Sequence, residues 1–123
     1  MAQSYRDLAV YRLAHRLGVE SHRFSLRLPK FELYETGQQL RRASKSISAN
    51  IVEGYGRRRY KADFIRFLGI SHSSCDETIE WLEYVRECHP ALADEALQLI
   101  ADYKELGRSV YRFLEAVQSE HRT

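Results

Sequence analysis

The densest group of side chains that could do chemistry is a basic run near position 60. Arginine or lysine occupies positions 57, 58, 59 and 61, and tyrosine occupies positions 55 and 60. Cationic side chains neutralise phosphates and release counterions, while aromatic rings stack on unpaired bases. The run therefore predicts a surface for an anionic partner, nucleic acid (RNA or single-stranded DNA) first. The predicted contact residues are Arg41, Arg42, Lys45, Arg57, Arg58, Arg59, Lys61 and Arg66.

Charge is distributed unevenly along the chain, although the formal net charge is only +2. Positions 41 to 66 hold eight basic and two acidic residues, whereas positions 76 to 105 hold nine acidic and two basic residues. A positive and a negative region can also dock on each other between copies of one chain. Two uses of the basic run therefore stay open: binding of nucleic acid, and assembly of a homo-oligomer or binding of another protein.

Two polar residues, Asn50 and Glu53, follow close to an apolar stripe in the same segment. A partly buried carboxylate can serve as a general base, which is one hypothesis for Glu53. The other hypothesis is structural: polar groups near a core need hydrogen-bond partners, and the same holds for Glu77. We favour the structural hypothesis and predict no catalytic residue in the chain. The expected partners are Arg42, Arg57 and Ser74.

Gly54 and Gly56 come after the apolar stripe and before the arginines. We predict that Gly54 ends the helix in the left-handed conformation and that a tight turn follows. The pair lacks the third glycine and the preceding strand of a dinucleotide-binding fingerprint.

Histidine and cysteine, which ligate metals, occur at positions 72 and 75 and again at 88 and 89. On one helix Cys75 and Cys88 are about 20 Å apart, whereas zinc ligands lie about 2.0–2.3 Å from the ion. We therefore predict no metal and no cofactor. Two cysteines are too few for a disulfide framework, and the sequence shows neither a signal peptide nor an apolar run of membrane-spanning length. These features predict reduced thiols, no membrane segment and a cytoplasmic location.

The elements that position these residues are four predicted helices. Apolar residues at steps of three and four predict helices over about 5–26, 31–53, 60–88 and 91–119. Short connections between amphipathic helices predict one all-α domain over 1–123, an antiparallel up-down-up-down four-helix bundle. The third helix has more apolar residues than one buried stripe needs, which predicts a second buried face, inside the bundle or against another subunit. The additional residues are Phe67, Ile70, Ile79 and Trp81.

The middle of the chain also carries a family pattern, QLRRAxxSIxxNIxEGxGR, over positions 39–57. With this run, RDLAVYRLAHRL near the start, FIRFLGISHSSCDETIEWL in the third helix and LGRSVYRFL near the end, the chain resembles the ribosomal RNA intervening-sequence proteins. The resemblance extends almost from end to end. One departure lies in the third helix, where the family often has glycine and this chain has Ser73.

The resemblance implies a left-handed antiparallel four-helix bundle that assembles as a ring, commonly a homopentamer, and that is not an enzyme. The fold is also similar to that of the accessory protein of diversity-generating retroelements, a basic pentameric barrel that binds nucleic acid and a reverse transcriptase. The motif residues for which the resemblance implies structural roles are Asn50, Glu53, Gly54, Gly56, Ser74 and Glu77.

Overall fold

The computed structural model describes residues 4–120, and every regular element in that range is helical. Helix α1 spans Ala9–Ser25, α2 spans Thr36–Gly56, α3 spans Lys61–Cys88 and α4 spans Ala93–Glu120. Short 3₁₀ turns precede α1, α2 and α4. The predicted all-α fold with four helices is confirmed.

The first two helices begin later than predicted because 3₁₀ turns occupy the expected first residues. Tyr5–Asp7 forms one such turn, which Ser4 and Asp7 cap through reciprocal side-chain to backbone hydrogen bonds. Lys30–Glu32 forms another directly after Pro29, so that α2 starts only at Thr36.

Neighbouring helices in the bundle run antiparallel. The hydroxyl oxygens of Ser46 on α2 and Ser74 on α3 are 3.0 Å apart. Gly54, further along α2, lies against Phe64, which comes earlier in α3. The same reversal of residue order holds in the contacts between α1 and α2, between α3 and α4, and between α1 and α4.

The predicted apolar stripe of α3 forms the centre of the core. All seven of its residues are buried, and Ser71 in the middle donates a hydrogen bond to the Ile47 carbonyl of α2 at 2.9 Å. Tyr103 of α4 is also fully buried, with its hydroxyl 2.6 Å from the Ser21 hydroxyl and 2.9 Å from the Leu17 carbonyl. The buried residues of the α3 stripe are Phe64, Leu68, Ser71, Cys75, Thr78, Leu82 and Val85.

The predicted role of Gly54 as a left-handed helix stop is wrong. Helix α2 continues through it to Gly56, and no glycine in the described range has a positive φ. Gly54 is buried where α2 meets α3, and a Cβ atom there would stand 3.1 Å from the Phe67 Cβ and 3.3 Å from the Phe64 Cδ1. The missing side chain therefore permits close helix packing.

Alanine substitutions at two helical glycines are expected to have opposite effects on stability. Gly69→Ala meets no atom within 4 Å, so its higher helix propensity should stabilise the protein by up to about 1 kcal/mol. Gly54→Ala gains the same propensity but must displace Phe67 near its backbone, so we expect a net loss of about 1–2 kcal/mol. Urea unfolding followed by circular dichroism measures both. Equal effects of the two substitutions would contradict the packing role of Gly54.

A largely buried acid–imidazole pair joins the two connections at the end of the bundle opposite the α2–α3 turn. The Glu32 carboxylate, which follows α1, lies 2.8 Å from the His89 Nε2 at the end of α3, and both side chains are about one-eighth exposed, 12% and 13%. The hydrogen bond from His89 holds the pKa of Glu32 below its ordinary value of 4.5. Ionised Glu32 is therefore favoured in the folded state.

The contribution of Glu32 to stability should depend on pH in a defined direction. Because the folded-state pKa is lowered, the contribution is present in full above the unfolded value of 4.5 and is lost as pH falls through the lower folded value. We expect Glu32→Gln to reduce the free energy of unfolding by about 1–2 kcal/mol at about pH 6. The difference in free energy of unfolding between the wild type and Glu32→Gln should become smaller by about pH 3. Denaturant titrations across this range test the sign, and a gap that stays constant would contradict it.

Candidate nucleic-acid interface

The basic residues near position 60 lie on a short, hydrogen-bonded turn between α2 and α3. The backbone amides of Arg57 and Arg58 donate to the carbonyls of Gly54 and Tyr55, at 3.0 and 3.2 Å. The Tyr60 amide donates to the Arg57 carbonyl at 2.8 Å, and α3 begins at the next residue. Since the backbone is held within the turn, its side chains point outward, and residues 57–60 are all exposed.

Arg57 is tied to its surroundings by two carboxylates and one aromatic ring. Its guanidinium lies 3.1 Å from a Glu53 carboxylate oxygen and 3.5 Å from an Asp63 oxygen, and it stands over the Phe67 ring at 5.1 Å. Arg57 is therefore a partly neutralised anchor for the turn. The Glu53 side chain is 51% exposed, so the burial on which the general-base hypothesis rested is absent.

Two other guanidinium groups at this end of the bundle lie over aromatic rings. Arg58 stands 4.2 Å from the Tyr55 ring centroid and donates to the Tyr55 carbonyl at 2.8 Å. Arg66 stands 4.4 Å from the Phe67 ring centroid. Cation–π contacts orient a guanidinium without neutralising its charge, so both groups keep donors available for phosphate.

The name basic turn here covers five cations: the three just described, together with Arg59 and Lys61. Within residues 4–120 only one member, Arg57, forms an ion pair. The aromatic ring of Tyr60 beside them is 62% exposed. The members of the basic turn are Arg57, Arg58, Arg59, Lys61 and Arg66.

The other three predicted contact residues lie elsewhere. From Arg42 to Arg58 the chain advances sixteen residues, about 24 Å along a helix. Arg41 is half-buried and donates hydrogen bonds to the Ser25 hydroxyl at 2.9 Å and the Leu33 carbonyl at 2.6 Å. It therefore links α2 to the end of α1, while Arg42 and Lys45 are exposed in the first half of α2.

A histidine beside this second group does not add to its positive charge. Burial, followed by the positive charges of Lys45 and Arg41, lowers the pKa of His22 below its ordinary value. Its Nδ1 atom is buried and lacks a hydrogen-bond partner among the described atoms. His22 is consequently neutral at neutral pH.

Most of the polar motif residues take part in contacts within α2 and α3. Asn50 donates to the carbonyl and the hydroxyl of Ser46, at 2.8 and 2.9 Å, and that hydroxyl lies 3.0 Å from the Ser74 hydroxyl of α3. The Glu77 carboxylate accepts a hydrogen bond from the Trp81 indole at 3.2 Å. Gly56 closes α2, with no atom within 4 Å of the position its Cβ would take.

The acidic part of α3 is too distant to neutralise the basic turn in the same molecule. Glu80, Glu83 and Glu87 lie in the second half of α3. From Lys61 to Glu83 the helix advances twenty-two residues, about 33 Å. Two of these carboxylates pair with Arg86, Glu83 at 2.7 Å and Glu87 at 3.5 Å. The two charged regions therefore stay separated along the bundle.

The structure shows no grouping for metal or thiol chemistry in the range it describes. Residues 4–120 contain no cluster of three or more potential metal ligands. Burial raises the pKa of Cys75 to about 12, whereas Cys88 is exposed at the end of α3. None of the helices in this range is both long and apolar enough to cross a membrane.

The part that Phe67 plays in this surface differs from the one predicted from the sequence. Phe67 is among the additional apolar residues predicted for α3, whereas its ring supports the guanidinium groups of Arg57 and Arg66. Its position four residues after Asp63, itself a partner of Arg57, was the available signal, because residues four apart share one face of a helix.

Fold and surface together define a small four-helix protein with a cationic turn at one end. The sequence profile of the 23S rRNA-intervening sequence proteins matches residues 6–112, and the chain belongs to this family.

A solved structure with a similar fold comes from Bacteroides thetaiotaomicron. It is a crystal structure of a protein of unknown function from the S23 ribosomal protein family, with a TM-score of 0.74 and 23% sequence identity. The match covers 86% of this chain and 95% of that chain. At this identity the similarity shows the fold alone. Comparison with curated proteins gives no significant match.

Proposed function

We propose that this protein is a non-enzymatic helical bundle that binds single-stranded nucleic acid, RNA before DNA, through the basic turn. The observation that carries the proposal is the arrangement of Arg58 and Arg66, which are stacked on aromatic rings, unpaired with carboxylates in residues 4–120, and next to the exposed ring of Tyr60. Because the matching family takes its name from 23S rRNA, RNA is the first nucleic acid to test.

The members of the basic turn and the neighbouring Tyr60 have separate roles in this proposal. Arg59 and Lys61 supply charges that attract phosphates, and the stacked Arg58 and Arg66 lose less side-chain freedom when they bind. Tyr60 offers a ring on which an unpaired base can stack, a contact that tolerates any sequence. The surface therefore suits a flexible single strand with weak sequence preference.

The absence of enzymatic activity and a cytoplasmic location are further parts of this proposal. The absence of enzymatic activity is supported by the state of two reactive groups. The Cys75 thiol is buried and protonated at neutral pH, and the Glu53 carboxylate is bound to Arg57. Cys75 and Cys88 are both free thiols, which suits a reducing compartment.

Removing two charges from the basic turn should weaken RNA binding and its dependence on salt. We expect Arg58→Gln with Arg59→Gln to lower the affinity for a single-stranded RNA of about 20 nucleotides by about tenfold at about 50 mM salt. The slope of log affinity against log salt should fall by about 1.4, at about 0.7 per lost phosphate contact. Fluorescence anisotropy at several salt concentrations measures both quantities.

Arg42→Gln with Lys45→Gln is the matched control, since it removes the same charge from the first half of α2, outside the basic turn. This control should retain more affinity than the variant in the basic turn. Equal losses in the two variants would assign binding to net charge alone, and no binding by the wild type at low salt would reject the proposal.

A second candidate function is homo-oligomer assembly, and we propose a pentameric ring. The number of five subunits is what the family resemblance implies. A specific observation favours self-association: an apolar stripe along α3 is incompletely covered, with Ile70 at 38% and Tyr84 at 50% exposure. Trp81 is half-buried on the same stripe, with its ring 5.8 Å from that of Tyr84. A second copy of the chain fits this surface, because its basic turn complements the acidic residues that flank Tyr84.

A charge placed on this stripe should reduce assembly, whereas the same charge elsewhere should not. We expect Tyr84→Lys to lower the mass measured by sedimentation equilibrium toward that of one chain, because it puts a positive charge opposite the basic turn of the second copy and removes apolar contact area. Tyr34→Lys is the control, since Tyr34 is 77% exposed on the α1–α2 connection. A wild-type protein that sediments as a monomer would reject this candidate.

A further inference from the structure

A second surface suited to ligand binding is an open groove between α3 and α4. Its volume is about 420 Å³, within the range of about 300–1,000 Å³ that is usual for small-molecule sites. It is separate from the basic turn, whose members are absent from its lining. Besides Tyr103, the polar and aromatic side chains that line it are His72, Asp76, Lys104, Arg108, Tyr111 and Arg112.

The groove exists because the two helices present small residues to each other at its base. Gly107 of α4 faces Cys75 of α3, and a Cβ atom at position 107 would lie 3.7 Å from the Cys75 Cβ. The buried side chain of Tyr103 forms part of the base, and its hydroxyl is already bonded to Ser21. The base is therefore rigid, and the residues available to a ligand are those on the rims.

The α4 rim carries three cations at regular intervals. Lys104, Arg108 and Arg112 are spaced four residues apart, which places them on one helix face at steps of about 6 Å. All three are exposed, and none forms an ion pair within residues 4–120. Arg112 donates a hydrogen bond to the Ser109 hydroxyl at 3.1 Å. The rim is thus suited to charge-assisted hydrogen bonds with phosphate oxygens.

The groove also offers a surface for a planar ring and an acceptor for hydroxyl or amino groups. The rings of Tyr111 and His72, which both line the groove, are in tilted contact, with centroids 5.7 Å apart and planes inclined by 53°. Tyr111 is 49% exposed, so a ring can stack on its free face. Asp76 on the α3 rim supplies a carboxylate, which repels a bare polyanion but accepts hydrogen bonds from a sugar or a base.

We propose that this groove binds a nucleotide. Its phosphates contact the three cations of the α4 rim, its base stacks on Tyr111, and Asp76 accepts a hydrogen bond from the sugar or the base. The nucleotide is either a free mononucleotide or one unit of a single strand. The assignment stands on the groove alone and does not require that the basic turn bind RNA.

The test uses two probes on the full chain: ATP carrying an N-methylanthraniloyl fluorophore, and a single-stranded RNA of about 20 nucleotides. Arg108→Gln with Arg112→Gln should weaken binding of the labelled ATP by about tenfold, a loss of about 1.4 kcal/mol. Tyr111→Ala should weaken it at least about fivefold through lost stacking. Arg23→Gln with Lys30→Gln is the matched control, because both residues are exposed and lie outside the groove and the basic turn, so the loss of the same charge there should leave ATP binding unchanged.

Unlabelled competitors separate nucleotide recognition from simple attraction of anions. ATP should displace the label better than inorganic triphosphate does, and Tyr111→Ala should reduce this preference. If inorganic triphosphate competes as well as ATP and Tyr111→Ala has no effect, the groove is only an anion patch and the proposal is wrong.

The RNA probe shows whether the bound nucleotide is free or is one unit of a strand. If ATP does not bind but both groove variants weaken RNA binding, the groove holds one unit of a strand, and the proposal stands in that form. If neither groove variant changes the affinity for either probe, the proposal is overturned. Circular dichroism checks that each variant is folded. Lys104→Gln replaces a groove variant that fails to fold. ATP binding that persists without RNA binding would reject the function of the basic turn and leave the groove intact.

Discussion

The close approach of α2 and α3 at Gly54 is the constraint on which the cationic end of this bundle depends. A glycine lets the two helices meet with Phe64 and Phe67 directly against the α2 backbone. The same Phe67 then supports the guanidinium groups of Arg57 and Arg66. Packing and surface chemistry are therefore coupled, because the ring that fills the junction on one side positions the cations on the other.

Separation of charge along the bundle follows from helix length. Between the basic turn and Glu80, Glu83 and Glu87, α3 advances fourteen residues from Arg66 to Glu80 and twenty-six from Lys61 to Glu87, about 21 to 39 Å, so the helix keeps the two charged regions apart within one chain. The positive end remains available to other molecules, whether these are phosphates or the negative half of another copy. One physical feature thus underlies both proposed functions, and this is why the charge pattern of the sequence alone could not decide between them.

The helices could be predicted from the sequence because apolar periodicity reports directly on burial, and every residue of the predicted α3 stripe is buried. The role of Gly54 could not, since a glycine before an arginine run has the pattern of a helix end, and only the position of α3 shows that it is a packing site. The eight predicted basic residues fall into two groups in the structure. Closeness in sequence does not show how far Arg42 and Arg58 lie apart along the helix axis, because each helical residue adds about 1.5 Å.

The α4 rim of the groove was missed for a related physical reason. Lys104, Arg108 and Arg112 are interrupted in sequence by acidic and apolar residues, so a count along the chain does not show them as a group. They form one surface only after the helix places every fourth residue on the same side. Gly107, which had no place in the sequence argument, lies at the base of the groove beneath them.

The hydrogen-bonded turn between α2 and α3 has a consequence for how this surface can change during evolution. Its four residues place the guanidinium of Arg57 over a ring in the second turn of α3. One inserted residue would rotate α3 by about 100° relative to the end of α2 unless the turn absorbed it, and that contact would be lost. Exchange of arginine for lysine at the exposed positions keeps the charge and the geometry of the backbone. Selection on this segment should therefore tolerate changes of side chain more readily than changes of length.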